Sequence, residues 1–260
     1  MGTDKASEKL ERGAGGDISM HLDILAEKII INKLRECSLD LLLISEENGE
    51  IYIGDEEKAM DSKIKLIVDP IDGSENAVRG IPYSSVSIAL AIGERTSDIN
   101  KAVVLDLNTN DIYWAEKGKG AYLNNKKIAV SLVHLIQKRI VEIDISPRKL
   151  KEYLETYNLL LSKFLKIRIL GSTALTLCQL ARGSMDAFIN LRESNRIVDV
   201  AAGILILKEA GGKVFSLNGT DIDEKLSINA RFPFIASNSK LEPFFKKELK
   251  KIKFNREYLQ

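Results

Sequence analysis

The segment Lys65-Leu66-Ile67-Val68-Asp69-Pro70-Ile71-Asp72-Gly73-Ser74 joins an apolar, β-branched run to two carboxylates and a turn. Such a run reads as a fully buried strand, which commits the chain to a covered sheet with Asp69 at the strand's C-terminal end. That end is where open α/β sheets place their ligand chemistry. Pro70 is expected to stop the strand, leaving Asp69 and Asp72 to converge with the Ile71 carbonyl between them. These are hard oxygen donors of the kind Mg²⁺ prefers. Gly73 lets the backbone come close to a ligand, and Ser74 opens a short helical stretch, 74–79, whose N–H groups favour an anion. Taken alone, D-P-x-D-G fits equally a strand followed by a solvated acidic turn, because Pro and Asp-Gly are ordinary turn signals.

The remaining chain narrows the choice. Its 260 residues suffice for one large domain or two medium ones with real cores. Lys and Arg number 38 against 37 Asp and Glu, so no global field points to nucleic acid or a membrane as partner. Cys37 and Cys178 lie far apart in apolar, helical contexts and read as reduced thiols, while His21 and His134 have no partner at zinc spacing. The N-terminus lacks a signal-peptide core, and no apolar run reaches membrane-spanning length, so a cytoplasmic location is expected.

Helical spacing marks 20–36, followed by a short strand at 41–45 that also ends in acid, Glu46-Glu47. Strands are expected at 51–53, 84–92, 102–107, 112–115 and 120–123, giving an α+β half over 1–128. From 129 to 260 the pattern alternates: strands at 139–145, 167–170, 185–190, 213–215 and 234–236, with helices over 147–164, 172–182, 200–210 and 242–251. Asp199 stands before the helix at 200–210, where it suits an N-cap.

Glu46-Glu47 after a strand, D-P-I-D-G-S at 69–74 and V-D-V-A-A-G at 198–203 occur here in the order found in the inositol monophosphatase superfamily, and the chain resembles that superfamily nearly throughout. Further likeness lies in G-K-G-A-Y-L-N at 118–124, in G-S-T-A at 171–174, in G-S-M-D-A at 183–187 and in E-A-G-G at 209–212. The resemblance implies an α-β-α-β-α layered sandwich, a homodimer, and a Mg²⁺-dependent, lithium-sensitive phosphatase acting on a phosphorylated polyol or sugar. Carried over by position, Glu46, Asp69 and the Ile71 carbonyl would hold one Mg²⁺, and Asp69, Asp72 and Asp199 a second. Glu46 or Glu47 would help with a third. Gly73 and Ser74 would hold the phosphate, and the Ser74 hydroxyl would orient water. Asp72, Gly171, Ser172, Thr173, Arg192 and Arg196 complete the substrate side. The two arginines resemble the branch that also hydrolyses fructose 1,6-bisphosphate.

Two departures from the family pattern remain. Where relatives carry Gly-Asp-x-x-Thr, this chain has Gly16-Asp17-Ile18-Ser19-Met20, so Asp17 is either a water-activating group or a helix N-cap. Residues 1–12 leave little room for the helix that relatives place before this motif, which leaves a shortened N-terminus open. A 3'(2'),5'-bisphosphate nucleotidase and a non-catalytic metal-dependent binding protein stand as alternatives.

Overall fold

The structure, a computed structural model, describes residues 9–12, 18–134 and 139–252. Strands β1 (Lys9–Arg12) and β2 (Ile18–Met20) pair ahead of helix α1 (His21–Glu36). There follow β3 (Leu41–Ser45), β4 (Gly49–Ile53), α2 (Glu56–Asp61), β5 (Ile64–Asp72), α3 (Ser74–Arg79), β6 (Ser85–Ile92), β7 (Ile99–Asp106), β8 (Ile112–Glu116), β9 (Gly120–Leu123) and β10 (Lys126–Ile128). Eight of these strands make one sheet in the order β10-β9-β8-β7-β6-β5-β3-β4, antiparallel except where β3 meets β5.

The second half contributes β11 (Ile140–Asp144), α4 (Leu150–Leu161), β12 (Lys166–Arg168), α5 (Thr173–Ala181), β13 (Ala187–Asn190), α6 (Ile197–Glu209), β14 (Lys213–Phe215), β15 (Phe234–Ser237) and α7 (Glu242–Leu249). Its five strands run β12-β11-β13-β15-β14, with β11 parallel to both neighbours and β15 antiparallel to both of its own.

Side-chain parity assembles the layers, since alternate strand residues point to opposite faces. Leu66 and Val68 of β5 join Ile31 of α1 in one apolar cluster, whereas Ile67 between them turns to the cluster of α5 and α6. Across the second sheet, Phe188 of β13 joins that same central cluster, while Ala187 and Ile189 face Tyr157 and Leu160 of α4 and Phe245 of α7. The result is the α-β-α-β-α sandwich, with α5 and α6 as its middle layer.

Several elements differ from the sequence reading, among them α2, β10 and the starts of α4 and α6. α2 was not anticipated, because six residues capped by Asp55, whose carboxylate accepts the Lys58 N–H, are too few to show a period. β10 forms because Asn124 and Asn125 both take positive φ, 46° and 65°, as a two-residue hairpin turn requires. The helix expected over 147–164 opens as a 3₁₀ turn at Pro147–Lys149 and becomes α-helical only over Leu150–Leu161. α6 starts at Ile197, so Asp199 is the third residue of the helix and not its N-cap.

Candidate active site

Pro70 does not end β5. The strand passes through it as a bulge: Asp69 stands opposite Ser87 of β6 and Asp72 opposite Ser85, so the register slips between the two acids. A residue without an N–H is at home in such a bulge, and the slip re-aims the side chains around it. Asp69 and Asp72 thereby line one cleft of about 300 Å³. Asp69 is fully buried. Its Oδ1 accepts the Ile71 N–H at 3.0 Å, while its Oδ2 has no hydrogen-bond partner. Asp72 Oδ2 accepts the Ser172 hydroxyl and the Ala174 N–H, both at 2.6 Å, and so ties the first half to the head of α5.

Gly73 has φ 90°, and a Cβ there would lie 3.0 Å from the Tyr83 carbonyl and 3.1 Å from that of Gly171. Only glycine fits that crossing of two chains. Ser74 begins α3, and its hydroxyl donates to the Ile71 carbonyl at 2.8 Å.

The opposite wall comes from the end of β3. Glu27 of α1 gathers the following turn by accepting the Ser45 hydroxyl, the Glu47 N–H at 3.0 Å and the Asn48 N–H at 3.2 Å. Glu46 is left facing the cleft, and Glu47 is not among the residues that line it. From the second half, Arg196 reaches across: Nη1 donates to Glu46 Oε1, Nε lies 3.1 Å and Nη2 3.0 Å from Asp199 Oδ1, and the Arg196 N–H donates to Asp199 Oδ2 at 3.2 Å.

So many acids in a buried space resist ionising together. Burial pushes Glu46 up to about 8; Arg196 opposes the rise, and Asp199 and Asp23 add to it. Burial, then Glu46, Asp72 and Asp199, hold Asp69 well above the usual carboxylate range. Burial and Asp199 raise Asp72 to about 7 against the hydrogen bonds it accepts. For Arg196, burial works against the charge, but Asp199, Glu46 and Asp69 outweigh it and push its pKa up.

This donor set suits a hard divalent cation. Glu46, Asp69, Asp72 and Asp199 bring carboxylates to the cleft, the buried Asp69 Oδ2 has no hydrogen-bond partner, and these acids outnumber the one guanidinium set among them. In the present arrangement no three acidic, histidine or cysteine side chains among the described residues are grouped to hold an ion, and Arg196 stands between Glu46 and Asp199.

Gly171, with φ 82°, and Thr173 line the cleft, while Ser172 is turned to Asp72. The loop before them is held from both sides: Asn76 donates to the Leu170 carbonyl at 2.7 Å, and Glu142 accepts the Leu170 N–H at 3.2 Å. Arg192 also reaches the cleft, but its guanidinium is paired with Asp144 at 3.0 Å and is 40% exposed. Glu193 pairs with Lys149 instead. Asp17 lies outside the described residues.

Sequence reasoning missed Asp23, Asp144, Asn195 and the supporting Glu27 and Glu142. A signal existed for two of them. Asp23 and Glu27 sit at four-residue spacing with Ile31 on the buried face of α1, and acids on an apolar helical stripe call for a partner.

Comparison with known proteins agrees with this geometry. A fructose-1,6-bisphosphatase/inositol-1-monophosphatase of Methanothermobacter thermautotrophicus is 36% identical over 247 residues, covering 92% of this chain and 85% of that one. A bifunctional NADP phosphatase/NAD kinase of Methanococcus maripaludis is 33% identical over 262 residues, 93% of this chain but only 44% of that longer protein. Among solved structures, an inositol monophosphatase–fructose 1,6-bisphosphatase superposes with a TM-score of 0.80 at 29% identity, over 95% of this chain and 91% of its own. The model of the inositol monophosphatase family matches residues 3–253. With its acids brought together across two sheets and the likeness running nearly end to end, the chain belongs to the inositol monophosphatase family.

Proposed function

We propose that this chain is a Mg²⁺-dependent phosphatase for monoesters of inositol and sugars, inositol 1-phosphate and fructose 1,6-bisphosphate among them. The observation that carries the reading is the buried, unpartnered Oδ2 of Asp69 in a cleft lined by Glu46, Asp72 and Asp199. Two or three Mg²⁺ held by these acids, with the Ile71 carbonyl assisting and Glu47 only if its side chain turned into the cleft, would supply an activated water and neutralise phosphate oxygens. The chain's own part is placement. N–H groups of Gly73 and Ser74 would receive the phosphate, the Ser74 hydroxyl would orient the attacking water, and Asp17 would assist it. Asp72 is fixed by Ser172 and Ala174, so its position depends on the second half staying docked. Gly171, Thr173, Arg192 and Arg196 would face the substrate. Residues 1–128 and 129–260 would thus act as two halves closing on one site. A cytoplasmic homodimer, without nucleic acid or membrane as partner, belongs to the same proposal.

A second reading has its own support. Beside the cleft, a pocket of about 340 Å³ lined by Arg148, Lys149, Tyr153 and Arg192 could take the rest of a larger anionic substrate, and one relative is named an NADP phosphatase. Phosphate release with Mg²⁺ from inositol 1-phosphate, fructose 1,6-bisphosphate, NADP and adenosine 3',5'-bisphosphate separates the readings. Turnover of the first two supports the proposal; turnover of NADP or the bisphosphonucleotide alone replaces it. No turnover of any, with the chain folded, refutes both.

A further inference from the structure

We propose that Arg196 is a built-in counter-cation that holds Glu46 and Asp199 together before metal loading and is displaced from them by the ion. The proposal rests on the metal-dependent reading of the cleft and assigns a further role to one side chain. Glu46 ends β3 of the first sheet and Asp199 lies in the first turn of α6, so their carboxylates come from opposite halves of the chain. The Arg196 side chain, 12% exposed, joins them by donating to Glu46 Oε1 through Nη1 and to Asp199 through Nε. A planar fork of donors suits two carboxylates at once, which a lysine could not match.

Arg196 and the ion would compete for the same carboxylates, Glu46 and Asp199. Mg²⁺ binds oxygen at about 2.0–2.1 Å, and a guanidinium donating to the same two carboxylates would stand in contact with the ion, where like charges repel strongly in a buried space. Arg196 therefore leaves Glu46 and Asp199 as the ion takes them. Its backbone is fixed at the head of α6, where before loading its N–H donates to Asp199 Oδ2. Before loading, the guanidinium limits repulsion among the acids; after loading, it becomes available to an anionic group in the cleft. Arg192, the other arginine lining the cleft, is engaged elsewhere, with Asp144.

The test is Mg²⁺ binding measured by calorimetry on the full chain, comparing the parent with Arg196→Gln, Arg196→Lys and Arg192→Gln. In the parent the ion must break these charge-assisted hydrogen bonds before it binds, a cost the variant is spared, so Arg196→Gln should bind Mg²⁺ at least about tenfold more tightly than the parent. Arg196→Lys, which keeps the charge but loses the fork, should shift the same way by less, and Arg192→Gln by less than about threefold. Without Mg²⁺, Arg196→Gln should melt below the parent, and saturating Mg²⁺ should close the gap. Unchanged or weaker binding by Arg196→Gln, or an equal gain in Arg192→Gln, overturns the proposal. Should the Arg196 variants not fold, arginine Nε–H resonances of the parent give the answer: one protected signal should lose protection on Mg²⁺ addition, and none doing so overturns it. A parent that binds no Mg²⁺ removes the phosphatase reading as well, whereas a parent that binds it with Arg196 variants unaffected removes this proposal alone.

Discussion

Replacing Glu142 with glutamine removes one ionisable group from behind the cleft and keeps an oxygen for the Leu170 N–H. Glu142 is 2% exposed, and burial pushes its carboxyl from 4.5 up to about 7, with hydrogen bonds from Thr176 and Leu170 opposing the rise and Asp144 and Asp72 adding to it. The folded chain then holds this proton more tightly than the unfolded chain does. The contribution to stability is therefore fully present below the unfolded value of 4.5 and is lost as pH rises through about 7. At about 1.4 kcal/mol per pH unit, the interval between 4.5 and about 7 corresponds to about 3 kcal/mol. Urea melts of the parent and Glu142→Gln, run with chelator between about pH 5 and about pH 8, measure it. The difference in unfolding free energy should move in the variant's favour by about 2 to 3 kcal/mol across that range. Any pH-independent cost of burying the amide cancels in that comparison. Curves that stay parallel within about 0.5 kcal/mol would refute the assignment of a buried, proton-retaining Glu142.

Three further outcomes are expected. Asp69→Asn should lose at least about a thousandfold in kcat while melting in chelator no lower than the parent, because burial and the neighbouring acids already disfavour a charge at this position and asparagine carries none; turnover within tenfold of the parent would end the metal assignment. Arg192→Glu should lower kcat/KM for fructose 1,6-bisphosphate by about tenfold to a hundredfold relative to inositol 1-phosphate, and an equal change on both would show that Arg192 serves Asp144 alone. Gly203→Ala places a Cβ 2.6 Å from Leu177 Cδ1 where α5 crosses α6, and should cost about 1–3 kcal/mol in a denaturant melt with the site chemistry unchanged.

β3 and β5 of the first sheet and the acids at their ends were legible because their cause is local. Leu41–Ser45 and the residues before Asp69 are apolar runs with no polar face, and such runs have few other uses. Pro70 misled for a reason the sequence does not carry: whether a proline ends a strand or rides through it as a bulge depends on the neighbour, here β6, whose register can slip. The start of α6 was misplaced because Asp199 looks like a cap, whereas Ile197 and Val198 are drawn into the helix by burial against distant residues. Arg192 was assigned toward substrate; its partner, Asp144, stands 48 positions away and was invisible to any local rule. Arg196 was placed with the substrate for want of a map showing Glu46, 150 positions away, on its other side.

Helix α6 has no solvent-exposed face over its first three turns: all residues from Ile197 to Leu207 are buried. During synthesis the eight-stranded sheet is complete by Ile128, yet the helix that covers its inner face ends only at Glu209. At translation rates of about 5–20 residues per second, that sheet waits about 4 to 16 seconds with an apolar face open. The order in which the chain leaves the ribosome thus creates an interval in which Ile67, Val104 and Tyr113, which end in the core, are candidates for capture by a chaperone or by another nascent chain.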